Sequence, residues 1–421
     1  MITTLIFSFL LSFNPACQPT PGDTLTLKDA YNLAYQSYPT AKKVALQQKI
    51  TDLNNQIARS AYFPQITVEG KATYQSEVPE FPSPNPVFPT ISKDQYEASL
   101  NVIQTIFNGG AVGKRKELQK AKGQQQVDAT KVDLYQIRKQ VNQVYYGILL
   151  SQQELKTIGL LLKNLKERLS TVRSQVEHGA LLASQQYILQ AELINVEQDS
   201  AATQSNIAAG YGVLSELIGQ KVALSTALAL PEVPVNYKTL EPQRPQYQLF
   251  KSSLNVLEQQ QEVAQAGKWP HLSAFGTASY GRPGLNFLND DFHGYYMVGL
   301  QLKWGLWDLV NAGRQGQSLQ IQQKQLIQDR KAFTLQLNAQ LERINGRIQA
   351  LRENIERDKQ IVHLRKKIVE SSASQLKHGV ITATEYVTEL TSLGQAQLAM
   401  FVHRVQLSQA KTDYMTTLGA P

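Results

Sequence analysis

Two hydrophobic periods alternate along this chain, and both return in the same order. From Gln65 to Gln75 the even positions are Ile66, Val68, Gly70, Ala72 and Tyr74, and the odd positions are Gln65, Thr67, Glu69, Lys71, Thr73 and Gln75. A period of two predicts a strand with one apolar and one wet face. A second strand follows, with Tyr96, Ala98, Leu100 and Val102 set against Gln95, Glu97, Ser99 and Asn101. The same pair recurs later. Leu272, Ala274, Gly276, Ala278 and Tyr280 form one apolar row, although Phe275 interrupts its polar face. Val298, Leu300, Leu302 and Trp304 form the other row, opposite Gln301 and Lys303. Proline-rich or glycine-containing loops, from Pro79 to Lys93 and from Gly281 to Phe292, join the strands of each pair.

The period then changes. Between Gly109 and Val176 there is no proline, and good helix formers dominate. A heptad ladder runs through Leu134, Val141, Ile148, Leu155, Leu162, Leu169 and Val176, with companions Ile137, Val144, Ser151, Ile158, Leu165 and Val172. Every position but Ser151 is apolar, which predicts a coiled-coil seam. The later ladder, Leu341, Ile348, Ile355, Val362, Val369 and Leu376, keeps the register. Its companions change from Leu337, Ile344 and Leu351 to Asp358, Arg365 and Ser372, a half-wet seam expected to face a lumen or a partner. A helix of about 65 residues at about 1.5 Å per residue would be about 100 Å long. His178-Gly179 and His378-Gly379 mark the ends of these helices, because glycine takes the left-handed turn. Returning helices are expected from Ala183-Ser184 and Ala383-Thr384, with Ser or Thr as caps.

These patterns make the chain a tandem repeat with a spacing near 200 residues. Tyr62-Phe63-Pro64 answers Lys268-Trp269-Pro270, Ile106-Phe107-Asn108 answers Leu306-Trp307-Asp308, and Leu217-Ile218-Gly219 answers Thr417-Leu418-Gly419. The expected division is a signal peptide over 1–17, repeat one over 24–219, a linker over 220–241 and repeat two over 242–419. The strands are expected near 64–78, 94–107, 270–281 and 293–307, and the hairpin tips near 178–183 and 378–383.

Composition narrows the class. The 421 residues carry 18% charged side chains and a net charge of +8, with no basic block and no basic patch interleaved with aromatics, so nucleic acid is not an expected partner. The short apolar run from Met1 to Phe13 is read as a secretory signal cleaved near Ala16 or Cys17, with a buried helix or a membrane anchor as alternatives. Cys17 is the one cysteine. It excludes an internal disulfide and a cysteine zinc site, and it is a candidate lipidation position although Asn14-Pro15-Ala16 lacks the usual leucine. No later stretch is apolar enough for a spanning helix, so a membrane passage would need strands closed into a barrel. Four strands cannot close around a lumen, so closure requires several subunits. The six histidines form no H-x-x-x-H pattern, no phosphate loop or nucleophile elbow is present, and four methionines do not make a metal path. No enzyme and no cofactor are expected.

Taken together, Leu25-Thr26-Leu27 with Asp29, Ala30, Leu33, Ala34 and Pro39, the Phe63-Pro64 and Trp269-Pro270 pairs, Phe107-Asn108-Gly109-Gly110, Trp307-Asp308, Gly179 and Gly379 resemble the TolC-like outer-membrane efflux proteins. The resemblance implies an α+β membrane protein of the bacterial outer membrane, its helical part in the periplasm. It implies a homotrimer in which each repeat gives a two-strand hairpin to a transmembrane β-barrel and long antiparallel coiled-coil helices to a periplasmic α-barrel. It implies lipid around the strands, a periplasmic adaptor at the tips (Gly179, Ala180, Leu181, Gly379, Val380 and Ile381) and an inner-membrane pump reached through that adaptor. It also implies a channel constriction at Glu385 and Glu389. The function implied is a passive duct of a tripartite efflux or type I secretion system. The alternative is a periplasmic coiled-coil interaction protein without a pore.

Overall fold

The computed structural model describes residues 24–79, 91–233, 242–286 and 289–419. The signal segment with Cys17, most of the proline-rich loop and residues 234–241 of the linker lie outside the described residues. Among the described residues eleven elements follow one another: α1 (Leu27–Ser37), α2 (Pro39–Ser60), β1 (Gln65–Tyr74), β2 (Asp94–Phe107), α3 (Ala111–Glu177), α4 (Ala183–Ile218), α5 (Pro245–Ala266), β3 (His271–Arg282), β4 (His293–Lys303), α6 (Leu306–Lys377) and α7 (Ala383–Leu418). The chain is mostly helical with one small antiparallel sheet. It forms two compact units, and each unit draws on both sequence repeats.

The first unit comprises the described parts of 1–41, 134–243 and 337–421. Thr26 caps α1 in a capping box with Asp29, and Tyr38 turns extended because Pro39 follows it. Leu27, Ala30 and Ala34 of α1 bury against Val141, Tyr145 and Ile148 of α3, Leu214 of α4 and Val405 of α7. Buried tyrosines need partners for their hydroxyls. Tyr145 lies 2.7 Å from the carbonyl oxygens of both Leu25 and Ala229, where Leu25 bridges to Leu228. Tyr146 meets Ser408 and Thr412 at 3.0 and 2.7 Å. Burial raises the Tyr145 and Tyr146 hydroxyls above the ordinary tyrosine pKa, so both stay protonated.

The half-wet seam of the second repeat is not left open. Asp358 of α6 is buried and contacts His403 Nδ1 of α7 at 2.6 Å, and Arg365 contacts Glu389 of α7 at 2.8 Å. Ser372 is also buried. These polar positions pair with the returning helix of their own hairpin, which corrects the expectation of a lumen-facing or partner-facing seam. In the first repeat the positions equivalent to Arg365 and Glu389 are Leu165 and Leu189, both fully buried in one apolar cluster. The duplicated site has exchanged an apolar contact for an ion pair.

The second unit comprises Lys42–Asp133 and Arg244–Gln336. Its sheet has the order β1-β2-β3-β4, each neighbour antiparallel. The register places Val68 opposite Leu100, Leu100 opposite Ala278 and Ala278 opposite Tyr296. The next row is Ile66, Val102, Gly276 and Val298. The even positions therefore share one face across all four strands. Phe275, the odd apolar residue on the other face, covers Gly299, where a Cβ would fall 2.8 Å from its ring. Where β2 leaves the sheet, Gly109 has a positive φ of 65° and no room for a side chain, because a Cβ would lie 2.7 Å from the Trp269 Cβ. Phe107 meets Trp269 edge-on at 6.4 Å, so the exit of one hairpin is packed against the start of the other.

Candidate functional site

Three features could carry function: the sheet face, the hairpin tips and the acidic residues just beyond the second tip. The apolar sheet face is bare. Val68 on β1 and Tyr296, Val298 and Leu300 on β4 are each at least 70% exposed, and Val68 and Tyr296 share one register row across the sheet. Contiguous exposed apolar surface of this kind marks a binding face or contact with lipid. The opposite face is mostly polar and internally bonded, with Ile103, Phe275 and Met297 as apolar members. Thr277 donates to Asn101 at 2.8 Å, Asn101 to Ser99 at 3.3 Å, and the Tyr295 hydroxyl to Glu97 at 2.9 Å. Both outer strands, β1 and β4, leave one edge unpaired within the chain. Among the described residues no helix is long and apolar enough to cross a membrane.

The two tips are built alike. Gly179 and Gly379 take φ of 71° and 72°. The Ala180 amide returns to the Gln175 carbonyl at 2.8 Å and the Val380 amide to Gln375 at 2.9 Å, while each glycine amide bonds three residues back. This is the Schellman arrangement that ends helices at glycine. His178 Nδ1 donates to the Ser174 carbonyl and His378 Nδ1 to Ser374, at 2.7 and 2.8 Å, so these histidines satisfy helix-end carbonyls. Among the described residues no cluster of His, Cys, Asp and Glu is arranged to hold a metal.

The residues singled out at the tips separate into two groups. Leu181 and Ile381 pack against the buried cluster of Leu165, Val172, Leu189, Leu376, Tyr386 and Leu390, while Val380, and Leu182 of the other tip, are exposed. The tips are also tied to each other. Gln175 Nε2 donates to the Lys377 carbonyl at 3.1 Å, the Ala383 amide donates to Gln185 Oε1 at 2.7 Å, and the Arg168 guanidinium lies 4.8 Å from the Tyr386 ring centre. The returning helices start at Ala183 and Ala383, as expected, but their caps lie two residues before Ser184 and Thr384. Leu182 occupies the cap position of α4 with no side-chain bond, and Thr382, not Thr384, caps α7.

Glu385 is the third residue of that capping box. Its carboxylate accepts from the Thr382 amide at 2.7 Å and from the Thr382 hydroxyl at 2.9 Å. The amide bond, then the hydroxyl, holds its pKa below the ordinary carboxylate value. In the single chain Glu385 is thus an exposed, charged cap. Glu389, one turn on, is engaged by Arg365. No sequence signal marked Arg168, Tyr386 or Gln185, because none repeats at the matching position of the other hairpin. Gln175 does recur, as Gln375, but a glutamine near a polar helix end carries no pattern of its own.

Residues 30–220 match the family described as outer membrane efflux protein. No curated protein sequence matches the chain. The fold is similar to that of CusC, at a TM-score of 0.71, 15% identity and coverage of 94% of this chain and 92% of that one. It is similar to VceC of Vibrio cholerae at 0.70, with 16% identity over 94% and 96% of the two chains. It is similar to the CmeC outer membrane channel of Campylobacter jejuni at 0.67, with 14% identity over 93% and 85%.

Proposed function

Because residues 30–220 carry outer membrane efflux protein sequence and the chain has the fold of outer-membrane channels, we propose that this protein is an outer-membrane duct and not an enzyme. It would serve a tripartite efflux or type I secretion system, passing small molecules or proteins to the exterior. The observation that carries this reading is the sheet with one exposed apolar face and two open edges. Strand edges cannot face hydrocarbon unpaired. Three copies, each giving four strands, close the sheet into a barrel whose apolar face meets lipid. A coiled-coil interaction protein without a pore has no use for that face.

In this reading the tips meet a periplasmic adaptor, itself coupled to an inner-membrane pump. Gly179, Ala180, Gly379 and Val380 form the exposed part of that surface, with Leu181 and Ile381 bracing it from below. Replacing Gly379 by Val should strain the left-handed turn by about 1–2 kcal/mol, since space is open there and only the backbone objects. Export should fall in cells while the heat-modifiable oligomer persists. Undiminished efflux from a correctly inserted variant would count against adaptor docking here.

Glu385 forms a threefold acidic ring at the constriction, with Glu389 beside it and its charge offset by Arg365. Conductance of purified oligomers in planar bilayers tests both the duct and the ring. The chain should form discrete cation-preferring channels, and absence of channels would remove the duct. Glu385→Gln keeps a capping-box residue but removes the charge, so cation preference and divalent-cation block should weaken. Unchanged selectivity would refute the ring and leave the duct standing.

A further inference from the structure

In the second unit four helices lie in one layer, in the order α2-α3-α5-α6. Thr51 of α2 stands where a Cβ on Gly123 of α3 would fall, Gln125 of α3 donates to Ser253 of α5 at 2.9 Å, and Tyr247 of α5 meets Thr334 of α6 at 3.1 Å. A hollow of about 770 Å³ is lined from all four helices, and helices of one layer can share a hollow only on its concave side. A second hollow, of about 510 Å³, shares Gln260 and Gln322 with the first and follows α5 and α6 as far as His271, the first residue of β3. The lining positions recur three or four residues apart, as Ser253, Val256, Gln260, Val263 and Gly267 do on α5, so each helix gives one stripe to one continuous trough. From Asp308 to Asp329 of α6 the trough runs about 30 Å, at about 1.5 Å per residue.

The first hollow has a wall of amides. Half of its lining residues are glutamine or asparagine, and Thr51 and Ser253 add hydroxyls. Its charged residues are Lys122 and Asp329, one of each sign, so it carries no net charge. Among the described residues, the side-chain amides of Gln47, Gln119, Gln126, Gln260 and Gln325 make no hydrogen bond within the chain. Each keeps a carbonyl acceptor and two N–H donors for another partner. A helix face that meets only water usually carries many charged residues, so a wall this poor in charge and this rich in amides suits a solute that is itself uncharged and polar.

We infer that this trough is a binding track for neutral, hydroxyl-rich solutes, with short linear oligosaccharides as the class that fits it. The inference rests on the duct proposed above and names a cargo for its wall. A hydroxyl both donates and accepts, as a carboxamide does, so successive hydroxyls of a sugar chain can pair with successive amides of the track. An extended polypeptide matches less well. Its side chains need apolar or charged sites, and among its amides the first hollow offers only Val256, Leu257 and Leu326 besides its two charges. The volume is that of a small-molecule site. Hydrogen bonds exchanged with water leave each contact weak, which lets a solute leave the track as well as enter it.

Purified oligomers in planar bilayers test the track, with maltohexaose as the probe. The sugar should interrupt the current in a saturable, concentration-dependent way. Gln260→Leu combined with Gln322→Leu removes the two amides common to both hollows, and the half-blocking concentration should rise about tenfold. Gln325→Leu, at an exposed position, replaces that pair if it fails to assemble, and should give a rise of about threefold. Polyethylene glycol of the same mass fills volume without donating hydrogen bonds along its chain, so it should block less and ignore the substitutions. Absence of block by the sugar, or an equal response to both polymers that the substitutions do not move, would overturn the track and leave the duct standing. An uncharged hexapeptide that blocks at lower concentration than the sugar, and is relieved by the same substitutions, would overturn the oligosaccharide and assign the wall to polypeptide. A native chain that opens no channel would remove the duct and the track with it.

Discussion

Arginine placed at Val68 or Leu300 will strip the protein from its membrane-assembled form, whereas arginine at Thr67 or Gln301 will be tolerated. The two pairs of positions lie on the same strands and differ in face. Val68 stands beside Leu100, and Leu300 beside Ala274, on the side where exposed apolar groups are in register across four strands. Thr67 stands opposite Asn101 and Gln301 opposite Ser273, on the side carrying the Thr277–Asn101 bond. If the first face meets hydrocarbon, a cation there costs about 2–4 kcal/mol near the bilayer midplane and less toward the strand ends. Val68, at 78% exposure, contacts little in the single chain, so loss of internal packing cannot produce such an effect. On a water-washed face the same change would be neutral. The measurement is the heat-modifiable oligomer recovered from outer membranes. Equal yields from substitutions on the two faces would reject lipid contact.

That face was legible in the sequence because a strand displays its period directly, and because a second copy repeats it. The glycine tips were legible for a related reason: only a left-handed turn needs glycine where Gly179 and Gly379 stand. The polar positions of the second seam were not. A heptad count shows that Asp358 and Arg365 break an apolar ladder, but it does not show what faces them. Their partners, His403 and Glu389, lie 45 and 24 residues on, in a different helix. A comparison across the repeat holds the missing signal, since Leu165 and Leu189 become Arg365 and Glu389 together. The caps slipped for a local reason. Thr382 and Thr384 are both good caps, and only Thr382 has Glu385 at the third helical position. Leu181 and Ile381 are half-buried because each directly precedes the cap of its returning helix, where an apolar residue packs back onto that helix's first turns.

The paired changes across the repeat lead to a prediction about stability. His403→Ala will destabilise α6 against α7 by about 1–3 kcal/mol, because it leaves a buried carboxylate without its partner. The Asp358 side chain is only 11% exposed, so water replaces the imidazole poorly. Asp358→Ile alone will also cost stability by leaving His403 unpaired. The first repeat suggests the remedy, since the equivalent positions there hold Ile158, packed against an apolar cluster, and Thr203, itself buried. Asp358→Ile combined with His403→Thr should therefore recover most of the loss, because replacing a whole buried polar pair costs less than removing one member. The Arg365–Glu389 pair should show the same coupling more weakly, as its side chains are 38% and 32% exposed. Thermal unfolding of the purified chain, followed by helical circular dichroism, measures the cycle. If the double variant loses as much as the two singles summed, the pair is not coupled. The exchange between repeats would then be incidental, and α6 would be held to α7 by its apolar ladder alone.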